Sequence, residues 1–136
     1  MTAMHSLKTM LRCRDIAASR HFYVDLLGLS VVEEWDDPYD KGCIVGFGPR
    51  GPSSGGFLEM LAVDPDHPKH RAAFEGPVAS DKIELQIRVD SVDDWAERLE
   101  GTLGMEGPVT RPWGNRYFWI RDPDGVRVAL FQGSGE

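Results

Sequence analysis

Leu7-Lys-Thr-Met-Leu-Arg-Cys-Arg-Asp-Ile16 and Ile83-Glu-Leu-Gln-Ile-Arg-Val-Asp-Ser-Val92 lie over one another with apolar residues on apolar residues and Arg12 on Arg88. Each stretch alternates apolar and polar side chains, the period of a strand with one covered face, then passes through a capping residue into helical spacing. After Asp15 the apolar residues Ile16, Phe22, Tyr23, Leu26 and Leu27 recur on a helix that Gly28 ends. After Ser91, with Asp94 three residues on, Val92, Trp95, Ala96 and Leu99 share one helix face.

Working outward, each helix is followed by three strand candidates. In the first half they fall around Leu29 to Trp35, Cys43 to Gly48 and Phe57 to Val63, between turns rich in Asp, Pro and Gly. In the second half they fall around Pro108 to Arg111, Arg116 to Arg121 and Val126 to Gln132, with Asp122-Pro-Asp-Gly125 as a hairpin turn. The chain therefore reads as a βαβββ module used twice: module one over about residues 5–63, a linker of altered composition over 64–82 with a short helical turn, and module two over 83–132. Strand parity assigns faces. Ile83, Leu85, Ile87 and Val89 pack on the second helix, as do Val126, Val128 and Leu130, whereas Glu84, Gln86, Arg88, Arg127, Ala129 and Phe131 face the other way. Leu58, Met60 and Ala62 likewise turn toward the first helix and leave Phe57, Glu59 and Leu61 opposite.

With 136 residues the chain can bury a core without a staple. Its two cysteines, Cys13 and Cys43, sit in apolar stretches outside any metal-binding spacing and read as buried thiols. No apolar run approaches the ~20 residues of a membrane helix and no signal-peptide pattern opens the chain, so a cytoplasmic protein is expected. A net charge of −7 disfavours nucleic acid as a partner and tolerates cationic small molecules.

Met10 to Leu29, above all Phe22-Tyr23 with Leu27-Gly28-Leu29, resembles the opening strand and helix of the vicinal-oxygen-chelate superfamily, which includes glyoxalases, bleomycin resistance proteins and extradiol dioxygenases. Arg111-Pro-Trp-Gly-Asn-Arg-Tyr-Phe-Trp-Ile-Arg-Asp-Pro-Asp-Gly125 resembles the closing hairpin of its bleomycin-resistance-like branch. The resemblance implies an α+β fold in which two tandem βαβββ modules form curved mixed sheets around a concave cleft, and a homodimer. In metal-dependent members four side chains meet there, and carried onto this chain they fall at Lys8, Glu59, Glu84 and Ala129. A protonated lysine has no lone pair to give and alanine no donor, so no metal or other cofactor is expected, and Lys8 is expected to pair with Glu59, Glu84 or both.

The histidines do not repair that set. His5 precedes the first strand, His21 lies on the polar side of the first helix, and His67 and His70 belong to the linker, where Pro68 interrupts the helix that would align them. Aromatic residues are the other candidate material: Trp35, Tyr39, Phe47, Phe57, Trp113, Tyr117, Trp119 and Phe131, with Tyr117 and Trp119 on one strand face. The leading expectation is thus a metal-independent protein that binds a small cationic or aromatic compound, as bleomycin-resistance-like proteins do. Its ligand-binding residues would be Lys8, Glu59, Glu84, Trp35, Phe57, Trp113, Trp119 and Phe131. The alternatives are a lyase, isomerase or ring-cleaving dioxygenase of the same fold, with metal or with Glu59 or Glu84 as base, and a structural partner domain of a larger complex.

Overall fold

A computed structural model describes residues 3–48, 50–52, 54–75, 83–102 and 104–133. The first module comprises β1 (Lys8–Cys13), α1 (Ile16–Arg20) continued by a π-helical segment (His21–Leu26), β2 (Ser30–Asp37), β3 (Asp40–Phe47), β4 (Gly56–Ala62) and the short α2 (Arg71–Phe74). The second comprises β5 (Leu85–Arg88), α3 (Val92–Arg98), β6 (Glu106–Thr110), β7 (Arg116–Arg121) and β8 (Arg127–Gln132). The sheets have equivalent strand orders, β1-β4-β3-β2 and β5-β8-β7-β6. In each the first strand runs parallel to the last and the remaining pairs are antiparallel. Contacts divide the chain into two compact units, residues 1–76 and 77–136. The α+β architecture of two βαβββ modules is thus the one read from the repeat.

In the first unit the expected parity puts Cys13, Cys43, Val45, Leu58 and Met60 in the core with Phe22, Tyr23 and Leu27. Asp15 caps α1 by accepting a hydrogen bond from the Ala18 amide at 3.1 Å. The helix then widens: the Leu27 amide donates to Phe22 O, five residues back, at 3.1 Å. That wider turn lets the neighbouring Phe22 and Tyr23, edge to face at 4.9 Å, be buried together with Leu27. Gly28 leaves the helix at φ +73°, where a side chain is disfavoured.

In the second unit Ser91 caps α3 through the Asp94 amide at 3.2 Å, and Val92, Ala96 and Leu99 are buried, as are Phe118, Ile120, Val128 and Leu130 on the strands. The Gln132 side chain accepts from the Val92 amide at 2.6 Å, tying β8 to the start of α3. Between β7 and β8, Asp122 is only 3% exposed and its Oδ1 accepts from the amides of Asp124 and Val126, both at 2.9 Å. The turn read from Asp-Pro-Asp-Gly is present, and it sets Trp119 opposite Ala129.

Three readings need correction. Ile83 does not pack on α3: β5 starts at Leu85 and Ile83 is 73% exposed, because β8 offers Val128 as the first partner, opposite Leu85, and leaves the residues before it unpaired. Strand β3 starts at Asp40 rather than near Cys43, since Asp37 and Asp40 pair directly across Pro38 and Tyr39. Tyr39 consequently lies at the tip of a hairpin in open solvent and lines no sheet face. Of the segment read as a linker, residues 64–75 carry α2 and residues 76–82 lie outside the described residues.

Candidate ligand-binding surface

Each sheet has one face against its helix and one face away from it, and the chemistry-bearing side chains occupy the second. In the first unit that face carries Lys8, Met10 and Arg12 on β1, and Phe57, Glu59 and Leu61 on β4. Met10 and Glu59 are cross-strand partners. Lys8, one step along the same face, brings its Nζ to 2.5 Å from Glu59 Oε1. Lys8 remains 47% exposed at its side chain and Glu59 only 14%. On the same face, at the β2 edge of the sheet, the Trp35 indole lies against Gly42, where an added Cβ would meet the ring and Met60 O. The buried Trp35 Nε1 has no hydrogen-bond partner among the described residues. Phe57 pairs with Lys8 on one side and Gly46 on the other.

The equivalent face of the second unit is aromatic. Gln86, Ala129, Trp119 and Glu106 form one row across the sheet, and Arg88, Phe131, Tyr117 and Val109 the next. Tyr117 stacks on Trp119 and on Phe131, with centroids 5.7 Å apart in both pairs, and Trp113 meets Tyr117 edge-on at 6.4 Å. Trp119 and Phe131 are nearly covered, whereas Trp113 is 67% exposed at the margin. Two guanidinium groups lie over the Trp119 ring, Arg127 at 5.0 Å and Arg111 at 5.4 Å. Arg127 also reaches two carboxylates, Glu84 at 3.0 Å and Glu106 at 3.3 Å. Its Nε approaches Glu84 without hydrogen-bond geometry, so that contact is an ion pair. Glu84 accepts a hydrogen bond from Gln86 at 2.9 Å.

The repeat makes Glu59 equivalent to Ala129, opposite Met10 and Gln86 respectively, and Lys8 equivalent to Glu84. At these positions the family resemblance implies metal ligands, and within neither unit do the residues present fit an ion. Lys8 offers a cation, Ala129 nothing, and the two carboxylates already face Lys8 and Arg127. Among the described residues no three His, Cys, Asp or Glu side chains converge. His21 pairs with Asp25 on the helix surface at 3.0 Å. His67 and His70 do come together, centroids 5.8 Å apart, because a turn closed by the His70 amide on His67 O replaces the helix that Pro68 prevents. They line a shallow depression of about 360 Å³ with Leu61 and Asp64, and desolvation together with Lys69 and Arg12 holds His70 below its usual pKa. A second depression, about 520 Å³, lies beside Arg88, Asp90, Trp95 and Arg98. Neither coincides with the aromatic stack.

Alternation had put Arg127 on the correct face, but its role in neutralising Glu84 was not legible, because the two residues are far apart in sequence. Nothing in the sequence around Arg111 places its side chain over Trp119. The turn in which its O accepts from Gly114 N at 2.9 Å, and its N donates to Asn115 O at 2.8 Å, is what brings it back over β7.

Residues 5–130 match the family described as the glyoxalase/bleomycin resistance protein/dioxygenase superfamily. A lactoylglutathione lyase of Escherichia coli O157:H7 is 28% identical over 137 aligned positions, covering 95% of this chain and 93% of the relative. Among solved structures, an antibiotic binding protein of Streptomyces sp. CB03234, TnmS3, superposes with a TM-score of 0.66 at 24% identity, over 98% of this chain and 99% of that one. A bleomycin resistance determinant encoded on the transposon Tn5 superposes with a TM-score of 0.64 at 21% identity, over 96% and 99%. At those identities the structural likeness establishes the fold.

Proposed function

The chain belongs to the glyoxalase/bleomycin resistance protein/dioxygenase superfamily, and from that premise we propose that it is a metal-independent binding protein for a small planar aromatic compound. The observation that carries this reading is the stack of Trp119, Tyr117 and Phe131 on the face turned away from α3, with Trp113 exposed at its margin. Rings held on paired strands lose little freedom when a flat ligand joins them, and each aromatic contact adds about 0.5–1.5 kcal/mol beyond area burial. Glu59 and Glu84 each face a cation of the protein itself, so a cationic ligand gains less from them than an open carboxylate would give.

Thermal shift with a panel of polycyclic aromatic compounds, with and without divalent metals, tests the reading. Stabilisation by planar aromatics, independent of metal and lost in Trp119→Ala, is expected. Binding that appears only with metal would overturn it.

The full-length similarity to lactoylglutathione lyases favours one second reading, an enzyme of that type. Turnover of lactoylglutathione by the purified protein, with near-equimolar transition metal by elemental analysis, would establish it. We further propose a homodimer, because Val31 and Val32 on β2 and Val109 on β6 are exposed apolar residues on edge strands. Light scattering coupled to size exclusion tests that. Among the described residues no helix is long and apolar enough to cross a membrane.

A further inference from the structure

Resting on the binding reading above, we infer that the ligand is an aromatic anion, a planar ring system bearing a carboxylate or similar acidic group, and that Arg111 recognises the acid. Two guanidinium groups share the Trp119 ring, and they differ in one respect. Arg127 is matched by Glu84 and Glu106. Arg111 has no carboxylate within ion-pair distance among the described residues, and its guanidinium carries the N–H donors that an acid needs. An acid placed beside Arg111 would give that guanidinium the counter-charge that Glu84 and Glu106 give Arg127, while its ring extends the stack. Glu106, the remaining acidic group of the cluster, is mostly exposed and bound to Arg127, so water and salt screen its effect on Arg111.

The placement of Arg111 is built rather than incidental. Its backbone is held at both polar atoms by the turn to Asn115, which is itself buried, and Gly114 supplies the φ of +99° that the turn requires. The turn also carries Trp113, whose edge meets Tyr117. An acid at Arg111 therefore sits beside the margin at which the stack is open. The chain's net charge of −7 opposes anions at long range, so selectivity for one must come from a local cation of this kind.

The test is calorimetric titration of the full chain with three isosteric probes: naphthalene carboxylate, its neutral primary carboxamide and the corresponding aminomethyl cation. The carboxylate is expected to bind about tenfold more tightly than the carboxamide, with the cation weakest. Arg111→Gln should abolish the difference while keeping carboxamide binding, and Arg111→Lys, which retains the charge, should keep most of it. Equal binding of all three probes, or a preference for the cation, overturns the inference and leaves the aromatic-binding reading intact. A preference for the carboxylate that survives Arg111→Gln also overturns it. Failure of every probe to bind overturns the reading on which it rests.

Discussion

Lys8 Nζ and Glu59 Oε1 stand 2.5 Å apart, diagonal neighbours across the parallel pair β1 and β4, at positions where metal-dependent relatives would place two ligands. The pair is asymmetric, because Glu59 is far less exposed than Lys8. Lys8→Met strands a largely covered carboxylate, whereas Glu59→Gln leaves an ammonium that water can reach. The first should therefore cost more, about 1–2 kcal/mol against less than about 1 kcal/mol. Urea denaturation of both variants and of the double Lys8→Met, Glu59→Met variant checks this. The double variant should recover much of the Lys8→Met loss, and equal single-variant costs would contradict the asymmetry.

Asp122 organises the turn between β7 and β8 through two amides. Asp122→Ala leaves both donors without their acceptor in a buried place and should cost roughly 2–4 kcal/mol. Asp122→Asn, which keeps one carbonyl oxygen, should cost less. Thermal denaturation ranks the two, and an Ala variant as stable as the parent would remove the turn from the list of determinants.

Gly42 is the seat of the Trp35 indole. In Gly42→Ala the new methyl would run into a Trp35 ring carbon and lie 2.7 Å from Met60 O. The ring can move but the carbonyl belongs to the paired backbone of β4, so the change should destabilise by about 1–3 kcal/mol. Tryptophan emission should shift as Trp35 is displaced toward water. An unchanged spectrum would show that the sheet, and not the ring, gives way.

The pKa of Asp93 is held below its usual value, first by its hydrogen bond from Arg116 and then by that residue's charge. A carboxyl depressed in the folded state contributes stability that is present above its unfolded pKa and lost as pH falls through the folded one. Asp93→Asn should therefore be less stable than the parent at neutral pH, with the gap closing in acid below about pH 4. Denaturation midpoints across pH measure it, and a gap that widens in acid would contradict the pairing. The effect is small, because both groups meet solvent.

Much of the fold was legible because it depends on local periodicity. The alternation of Leu85, Ile87, Val128 and Leu130 against Gln86, Arg88, Ala129 and Phe131 names the covered face of a strand before any partner is known. Asp15, Gly28, Ser91 and Asp122 act through hydrogen bonds or backbone angles within a few residues of themselves, so their roles are also written locally. The widening of the first helix at His21–Leu26 was not foreseen, since it follows from fitting Phe22 and Tyr23 together beneath a sheet that forms later in the chain.

The candidate site divides along the same line. By itself the sequence determined which side chains can reach the open faces of the two sheets, because a strand's parity is a property of the chain. It determined also that Lys8 and Ala129 supply no lone pairs where relatives would bind metal, because donor chemistry travels with the residue. Only the tertiary structure decided that Lys8 goes to Glu59, that Arg127 serves Glu84 and Glu106, and that Arg111 turns back over Trp119 with no acid of its own among the described residues. Those partners come from strand register and from a turn, which join residues distant in sequence, and the nearest opposite charge in space cannot be read from separation along a chain.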